Sequence, residues 1–302
     1  MSTDTLRVGY AALLGRPNVG KSTLLNRLIG QKLSITASKP QTTRHVILGV
    51  QTLDDAQIVY VDTPGLHHEK RRAMNRYLNR SAASVLGYAD IVVFLIEALR
   101  WTEQDNEILQ RLVPFQGSVI LAVNKIDRIT DKQQLLPFLQ EVSSQRDFAE
   151  VIPLAALKGD NVIALEQVIA QLLPVGDLLF PEGQITTMSQ RFLAAELIRE
   201  KLTRLLREEL PYALTVDIER FIEGKQLLRI QAVIWVERDS QKGIVIGERG
   251  ATLREAGRQA RIDMEHLFDC KVFLETWVKV REGWSDDERA LQSLGYSEPG
   301  KP

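Results

Sequence analysis

Two glycines at a fixed spacing, followed by lysine and serine, mark one short segment near the amino terminus. The pattern G-x-x-x-x-G-K-S comprises Gly15, Arg16, Pro17, Asn18, Val19, Gly20, Lys21 and Ser22. Between a strand and a helix, such a loop turns backbone N–H groups toward phosphate oxygens at the positive end of the helix. We expect Lys21 to contact the outer phosphates of a nucleotide and Ser22 to coordinate Mg²⁺. The loop alone leaves open whether that nucleotide is ATP or GTP.

A second motif follows an apolar run and has groups that can recognise a purine base. It consists of Asn124, Lys125, Ile126 and Asp127. The Asp127 carboxylate can accept two hydrogen bonds from the ring N–H and exocyclic amine of guanine, whereas adenine leaves it unpaired. We expect Asn124 to brace the loop and meet the acceptor edge of the base, and the stem of Lys125 to pack over the ring. Together with the phosphate loop, this motif favours GTP.

The segment from Asp62 to Leu66 ends another apolar run and has groups suited to the metal and the last phosphate. We expect Asp62 to hold the Mg²⁺ shell and the N–H of Gly65 to meet the γ-phosphate. Thr63, Pro64 and Leu66 complete the predicted nucleotide contacts here. Leu66 cannot hydrogen-bond to the attacking water, so backbone groups, a neighbouring residue or a partner must position it. A module that binds nucleotide without turnover therefore stays open.

A polar loop ahead of Asp62 carries two adjacent hydroxyl groups. Residues 40–44 read PQTTR, and one threonine should close over Mg²⁺ when the γ-phosphate is bound. We expect Thr43, rather than Thr42, to do so. The predicted metal ligands are Ser22, Thr43 and Asp62, and the predicted catalytic residues from these motifs are Lys21, Thr43 and Gly65.

These motifs need a scaffold that brings several strand ends together, and the apolar pattern predicts one. Short apolar runs alternate with helical periodicity, which is typical of a parallel sheet wrapped by helices. We predict strands at 9–14, 56–61, 91–96, 119–123 and 151–154, and helices at 22–28, 102–113 and 162–173. Helix breakers between 174 and 189 indicate a domain boundary. The prediction is an α/β domain over 1–175 with a mixed, mostly parallel sheet flanked by helices, a linker over 176–189 and a second domain over 190–302.

The second half has a different element order, α-β-β-α-α-β, so it does not continue the first sheet. We predict helices at 191–209, from 241, and at 251–268, and strands at 213–221, 227–237 and 272–280. Ser285 and Glu288 have the spacing of a capping box, which predicts a short terminal helix.

A G-x-x-G loop separates two helical segments of this second half. Its glycines would let the backbone clamp about four nucleotides of a single strand. Between Lys242 and Arg261 five basic residues accompany two acids, a local charge of +3, although residues 180–302 have a net charge of −2. An ordinary turn beside a solvated charged helix stays open as the alternative. The predicted nucleic-acid contacts are Lys242, Gly247, Glu248, Arg249, Gly250, Arg254 and Arg258.

Composition restricts the class of protein. At ~150 residues per domain, 302 residues indicate two domains, and a net charge of −1 provides no global basic field. The single cysteine, Cys270, excludes an internal disulfide and fits a reducing compartment. The longest apolar run, 89–96, is far shorter than the ~18 residues that a membrane span needs. We expect a soluble, cytoplasmic protein.

The motifs GRPNVGKS, QTTRH, DTPGL and NKID together resemble those of the TrmE–Era class of translation-factor-like small GTPases. By this resemblance, Ala155 and Ala156 stand in the fifth motif, usually a Ser-Ala pair, whose backbone meets the guanine oxygen. It also implies that Asn18 joins the catalytic residues by ligating K⁺. The strings SQRFLAAELIREKL, ELPY, VIGERG and WVKVREGWSDDERALQSLGY extend the resemblance to the Era family over nearly the whole chain, with a type II KH domain.

Membership of that family would imply a slow GTPase that assists small (30S) ribosomal subunit assembly. It would bind the 3′ end of small-subunit ribosomal RNA, with nucleotide state gating RNA access, and it would contact the inner membrane peripherally. We expect a monomer, with GTP or GDP, Mg²⁺ and K⁺ as ligands. The alternative is a membrane-associated cell-cycle signalling GTPase whose KH-like domain binds protein rather than RNA.

Overall fold

The computed structural model describes residues 6–37, 39, 41–65, 73–208 and 210–296. The elements of the first half, in chain order, are β1 (Arg7–Leu14), α1 (Lys21–Ile29), β2 (Ile47–Thr52), β3 (Ala56–Asp62), α2 (Ala73–Val85), β4 (Ile91–Glu97), α3 (Glu103–Arg111), β5 (Ser118–Asn124), α4 (Leu135–Ser143), β6 (Glu150–Pro153) and α5 (Val162–Leu172). The six strands form one sheet in the order β2-β3-β1-β4-β5-β6. All neighbours pair in parallel except β2, which runs antiparallel to β3. The predicted mixed, mostly parallel sheet is therefore confirmed.

The parallel arrangement explains where the motifs meet. The phosphate loop follows β1, Asp62 ends β3, and Asn124 ends β5. Parallel strands have their carboxyl ends at the same edge of a sheet, so these segments lie side by side. The central strand β4 is fully buried from Ile91 to Ile96, as expected of a strand covered by helices on both faces.

Three elements of this half were not predicted: β2, α2 and α4. The apolar pattern of β2 is interrupted by Gly49, where a Cβ would lie 2.8 Å from Cγ1 of Ile29. The close approach of α1 therefore favours glycine inside a strand, which weakens the strand signal. Helix α2 buries Met74, Tyr77 and Leu78, but polar residues separate them and obscure the periodicity.

The second half contains α6 (Gln190–Leu205), β7 (Leu214–Glu223), β8 (Leu227–Val236), α7 (Asp239–Ile246), α8 (Ala251–Phe268), β9 (Lys271–Val280) and α9 (Glu288–Ser293). The three strands form a sheet in which β8 pairs antiparallel with β7 and parallel with β9. Helices α6 and α8 share a buried core with this sheet. The predicted order α-β-β-α-α-β is confirmed. No helix among the residues described is both long and apolar enough to cross a membrane.

The predicted capping box at Ser285 and Glu288 is wrong. Helix α9 is capped by Asp287, whose side chain accepts hydrogen bonds from the backbone N–H groups of Arg289 at 2.8 Å and Ala290 at 3.2 Å. The Ser285 hydroxyl instead donates to Glu237 at 2.5 Å. A partner 48 residues away thus takes the side chain that the local pattern assigned to the cap.

The two halves pack against each other through a small apolar cluster. It joins α2 to the carboxy-terminal segment and comprises Ala73, Met74, Tyr77, Leu78, Trp284, Ala290, Leu291 and Tyr296. The predicted linker, 176–189, lies along the first sheet, where the N–H of Val50 donates to the carbonyl of Ile185 at 2.8 Å. Helix α6 lies beside the loop that precedes β2, where the N–H of Thr36 donates to Glu200 at 2.9 Å.

Candidate functional site

The phosphate loop lies between β1 and α1, as its pattern predicts. Gly20 has a φ of +110°, and a Cβ there would lie 2.3 Å from Nδ2 of Asn124. Glycine is therefore required at this position for both backbone and space. Within the described part of the chain, no side chain caps the amino terminus of α1, so its first N–H groups are left available to an anion.

Lys21 is buried at the base of this loop. Its Nζ donates to the carbonyl oxygens of Gly15 at 2.9 Å and Arg16 at 3.3 Å. Burial lowers the pKa of Lys21 to about 8, and the Asp62 carboxylate partly offsets that effect. A phosphate group would favour the charged form of this ammonium, so the geometry suits the predicted contact.

The three predicted metal ligands meet at the amino-terminal end of α1. The Ser22 hydroxyl donates to Oδ2 of Asp62 at 2.7 Å and lies 2.7 Å from the Thr43 hydroxyl. Thr43 lies 3.5 Å from the same carboxylate oxygen. Ser34, which no motif indicated, also donates to that oxygen, at 2.8 Å. Burial raises the pKa of Asp62, and Lys21 with these hydroxyls opposes the rise.

One carboxylate oxygen of Asp62 tests whether this cluster of side chains could hold Mg²⁺. Oδ1 of Asp62 is buried and has no hydrogen-bond partner in the described part of the chain. A buried carboxylate oxygen without a donor is unfavourable unless a cation or water satisfies it. Carboxylate and hydroxyl oxygens are ligands that Mg²⁺ accepts, so Ser22, Thr43 and Asp62 fit the ion, although their role as ligands stays a prediction.

Asn124 connects three loops of the site. Its Nδ2 donates to the carbonyl of Val19 at 2.7 Å, and its Oδ1 accepts from the N–H groups of Lys125 at 2.7 Å and Ala156 at 2.9 Å. The side chain is almost fully buried. These contacts agree with the predicted bracing role. They also show that the Ala156 N–H, expected at the guanine oxygen, donates to Asn124 in this structure.

Arg27 on α1 holds the fifth-motif loop, in which Ala155 stands where the family usually has serine. Its guanidinium donates to the carbonyl of Ala156 at 3.3 Å and to that of Leu157. The N–H of Ala155 donates to the carbonyl of Asp160 at 3.1 Å. The sequence offered no signal for Arg27, because an exposed helical arginine is usually solvated.

Glu97, at the end of β4, links the phosphate loop to the base-recognition loop. Its carboxylate lies 3.0 Å from Nη2 of Arg16 and 3.2 Å from Nζ of Lys125. Arg16 also reaches Asp105 at 3.3 Å, so its guanidinium binds these acids. Any contact of Arg16 with nucleotide is therefore left to its backbone. Glu97 is a site residue that sequence reasoning missed.

A cavity of about 680 Å³ lies over these groups. The predicted residues that line it are Pro17, Asn18, Gly20, Lys21, Ser22, Thr43, Gly65, Asn124, Lys125, Asp127 and Ala156. The predicted residues Gly15, Arg16, Val19, Asp62, Thr63, Pro64, Ile126 and Ala155 are not among the lining residues. Leu66 lies outside the described residues. Thr203 and Arg204 of α6 also line the cavity, so the second half borders the nucleotide site, which no motif indicated.

The G-x-x-G loop joins α7 to α8. Gly247 has a φ of +73°, and a Cβ there would lie 2.2 Å from the Thr252 hydroxyl. Arg254 donates to the carbonyl of Arg249 at 3.1 Å, which places its guanidinium over the loop. Arg258 pairs with Glu255 at 2.7 Å, so its charge is partly neutralised. The basic face beside the loop is consequently weaker than the residue count suggests.

Family comparisons match both halves of the chain. Residues 10–125 match the family described as 50S ribosome-binding GTPase, and residues 209–285 match the KH domain family. These ranges contain the phosphate loop, Asp62 and the G-x-x-G loop.

Several relatives are similar over nearly their full length. GTPase Era of Azotobacter vinelandii is 55% identical and aligns over 97% of this chain and 98% of its own. GTPase Era of Pseudomonas putida is 54% identical, with 97% of each chain aligned.

Two solved structures share the whole fold. Era of Aquifex aeolicus bound to GDP·AlF4− has a TM-score of 0.93 at 39% identity, covering 97% of this chain and 100% of that chain. Era in complex with MgGDPNP and nucleotides 1506–1542 of 16S ribosomal RNA also has a TM-score of 0.93 at 39% identity, covering 97% of this chain and 99% of that chain. Identity and coverage of this extent, together with the site geometry, show that this chain belongs to the Era family of GTPases.

Proposed function

We propose that this protein binds GTP with Mg²⁺, hydrolyses it slowly to GDP and phosphate, and binds the 3′ end of small-subunit ribosomal RNA during assembly of the small ribosomal subunit. Nucleotide state gates RNA access in this proposal. The observation that carries it is the meeting of Ser22, Thr43 and Asp62 at a buried carboxylate. This cluster of side chains lies in a chain that aligns over 97% of its length with an Era protein whose structure was solved in complex with MgGDPNP and 16S ribosomal RNA.

Recognition of the base and phosphates is divided among separate loops. Asp127, exposed at the cavity wall, would accept hydrogen bonds from the ring N–H and amine of guanine. Lys21 and the N–H groups of the phosphate loop would hold the β- and γ-phosphates. Ser22, Thr43 and Asp62 would hold Mg²⁺, which neutralises charge on the phosphate oxygens when bound.

Turnover in this proposal depends on groups other than a glutamine that orients water. The N–H of Gly65, beside Pro17 in the cavity wall, would meet the γ-phosphate. Asn18, which also lines the cavity, would ligate K⁺ and so add positive charge near the transferred group. Switch GTPases without a stimulating partner turn over at roughly 10⁻⁴ to 10⁻² s⁻¹. Equal hydrolysis rates in K⁺ and Na⁺ at matched ionic strength would remove the role of Asn18.

The KH domain would bind a single RNA strand at the G-x-x-G loop. Its backbone at Gly247 and Gly250 would approach the sugar–phosphate chain, and Lys242, Arg249 and Arg254 would supply positive charge. Glu248 is exposed in the same loop, so it would face solvent or a base rather than a phosphate. Arg258 would contribute only after leaving Glu255.

The proposal places the protein in the cytoplasm, because its proposed partner is the small ribosomal subunit. It also gives the protein as a monomer. It also includes peripheral contact with the inner membrane, which rests on the family resemblance. Flotation with anionic lipid vesicles tests that contact, and light scattering tests the monomer.

The decisive test measures RNA binding in two nucleotide states. Fluorescence anisotropy should show tighter binding of 16S nucleotides 1506–1542 with a non-hydrolysable GTP analogue than with GDP. Arg254→Glu should weaken this binding more than tenfold and leave GTP hydrolysis intact, since the residue lies in the KH domain. Arg111→Glu makes the same charge change on the exposed surface of the first domain and is the control. RNA affinity that is unchanged in Arg254→Glu and insensitive to salt would favour a KH-like domain that binds protein.

A further inference from the structure

The side chain of Arg44 extends from the first domain into the second, where it is buried. It directly follows Thr43, and its side chain is 0% exposed. Its guanidinium donates to acceptors in the carboxy-terminal half: the carbonyls of Leu214 at 2.8 Å, Pro211 at 2.9 Å and Tyr212 at 3.2 Å, and the hydroxyl of Tyr296 at 3.4 Å. These four acceptors satisfy Nη1 and Nη2, whereas the buried Nε has no hydrogen-bond partner in the described part of the chain. Because moving those acceptors away would leave more of a buried guanidinium unsatisfied, this side chain fixes its own loop to the KH domain.

Arg199 of α6 holds the other side of Thr43. It is 1% exposed and pairs with Glu196 through Nε at 2.7 Å and Nη2 at 2.6 Å. The same Nη2 donates to the carbonyl oxygen of Thr42. The bidentate pair with Glu196 orients the guanidinium, so its remaining donor has a defined direction.

We propose that Arg44 and Arg199 are positioning residues that make the placement of Thr43 depend on the KH domain. The Mg²⁺ site is then complete only while that domain holds residues 42 and 44. This inference rests on the proposed function of Thr43 as a metal ligand. It adds a pair of residues that no motif contains and assigns them to the coupling of nucleotide state to RNA access.

Thr43 lies directly between the two anchored residues, Thr42 and Arg44, so its position depends strongly on theirs. Successive Cα atoms are about 3.8 Å apart, so Thr43 cannot move far while both neighbours are anchored. A displacement of α6 by a few ångströms would break the 2.7 Å contact between the hydroxyls of Thr43 and Ser22. Coupling between two sites is reciprocal. Closure of Thr43 on the metal must therefore favour the placement of α6 that holds Thr42, and α6 packs against α8, the helix that follows the G-x-x-G loop.

Charge-conserving variants of the full chain test the proposal. Arg199→Lys and Arg44→Lys retain a cation but cannot span the same set of acceptors. Lys32→Met is the control, because Lys32 joins the two halves through Glu200 at 2.5 Å and Asp263 at 2.7 Å without touching residues 42–44. All variants are compared at a temperature at which circular dichroism shows them folded.

Two readouts separate a positioning role from a structural one. Hydrogen exchange of residues 41–45, measured without nucleotide, should be roughly tenfold faster in both arginine variants. The Mg²⁺ concentration at half-maximal single-turnover GTP hydrolysis should rise roughly tenfold, while GDP affinity in EDTA stays unchanged. The Lys32→Met control should stay within about twofold of wild type in each measurement.

The outcomes are distinguishable. Exchange and Mg²⁺ dependence that match wild type, or that change equally in Lys32→Met, would overturn the positioning role. Loss of GDP affinity in EDTA in step with the Mg²⁺ effect would also overturn it, because general distortion would then be the cause. An absence of GTP hydrolysis by the wild type would contradict the proposed function, while the exchange readout would still decide whether the KH domain anchors Thr43.

Discussion

Replacing Asn124 by alanine should disconnect the three loops of the nucleotide site while leaving the sheet folded. The substitution removes one donated and two accepted hydrogen bonds, to the Val19 carbonyl and from the N–H groups of Lys125 and Ala156. Each buried group left without a partner costs about 1–3 kcal/mol. Partial entry of water reduces the sum, so we expect a loss of about 4 kcal/mol. This loss is shared between the free energy of unfolding and nucleotide affinity.

Isothermal titration calorimetry with GDP in EDTA measures the affinity part, and urea unfolding measures the stability part. We expect GDP affinity to fall about 100-fold, equivalent to about 2.7 kcal/mol, and the urea midpoint to fall with its slope unchanged. Asn26→Ala is a matched control. Asn26 donates to the Ser34 carbonyl at 2.7 Å and accepts from the N–H groups of Leu33 and Ser34 at 2.9 Å each.

This control loses the same number of bonds, but they hold the loop at Leu33 and Ser34, which reaches Asp62 through the Ser34 hydroxyl, and not the three loops that Asn124 connects. It should lower stability comparably and keep GDP affinity in EDTA within about threefold. An Asn124→Ala protein that binds GDP as tightly as wild type would refute the reasoning that these loops depend on that amide.

Three further predictions follow from burial and charge. Burial lowers the pKa of Lys21 to about 8 and phosphates would raise it, so GDP binding should take up about half a proton at pH 8 and almost none at pH 6.5; calorimetry in buffers of different ionisation enthalpy measures this, and equal enthalpies at pH 8 would contradict it. Burial also lowers the pKa of His45 to about 4, below its unfolded value of about 6.5. The stability due to neutral His45 is thus complete above pH 6.5 and is lost, by up to about 3 kcal/mol, as the pH falls toward 4; urea unfolding of His45→Phe should show a shallower pH slope than wild type, and identical slopes would argue against it. Glu97→Gln removes the charge that Arg16 and Lys125 share, so GTP affinity should fall about tenfold; calorimetry at low and high salt checks this, and an unchanged affinity at both would contradict the link.

The site residues that could be predicted from the sequence are those that belong to short contiguous motifs. The phosphate loop, Asp62 and Asn124 could be placed correctly because each follows a buried strand, and the strand run itself is an unambiguous pattern. The preference for Thr43 over Thr42 had no such pattern behind it. In the structure the Thr43 hydroxyl lies 2.7 Å from that of Ser22, whereas the Thr42 hydroxyl donates to the carbonyl of Lys39.

The residues that escaped prediction act across long separations. Arg199 lies 157 residues from Thr42, and Glu97 acquires its role only when β4 and β5 pair. Ser285 is the opposite case. Its local spacing predicted a helix cap, but its hydroxyl donates to a glutamate that is distant in the sequence. Local patterns identify which residues can do chemistry, whereas the packing of the two domains decides how they are held.

The most direct measurement compares GTP with ATP in calorimetric titrations of the wild-type protein with Mg²⁺. Because a carboxylate matched to guanine is left unpaired by adenine, GTP should bind and ATP should bind at least about a thousandfold more weakly. Equal affinities for the two nucleotides, or no binding of either, would contradict the assignment of Asp127 to the base and of the phosphate loop to its triphosphate.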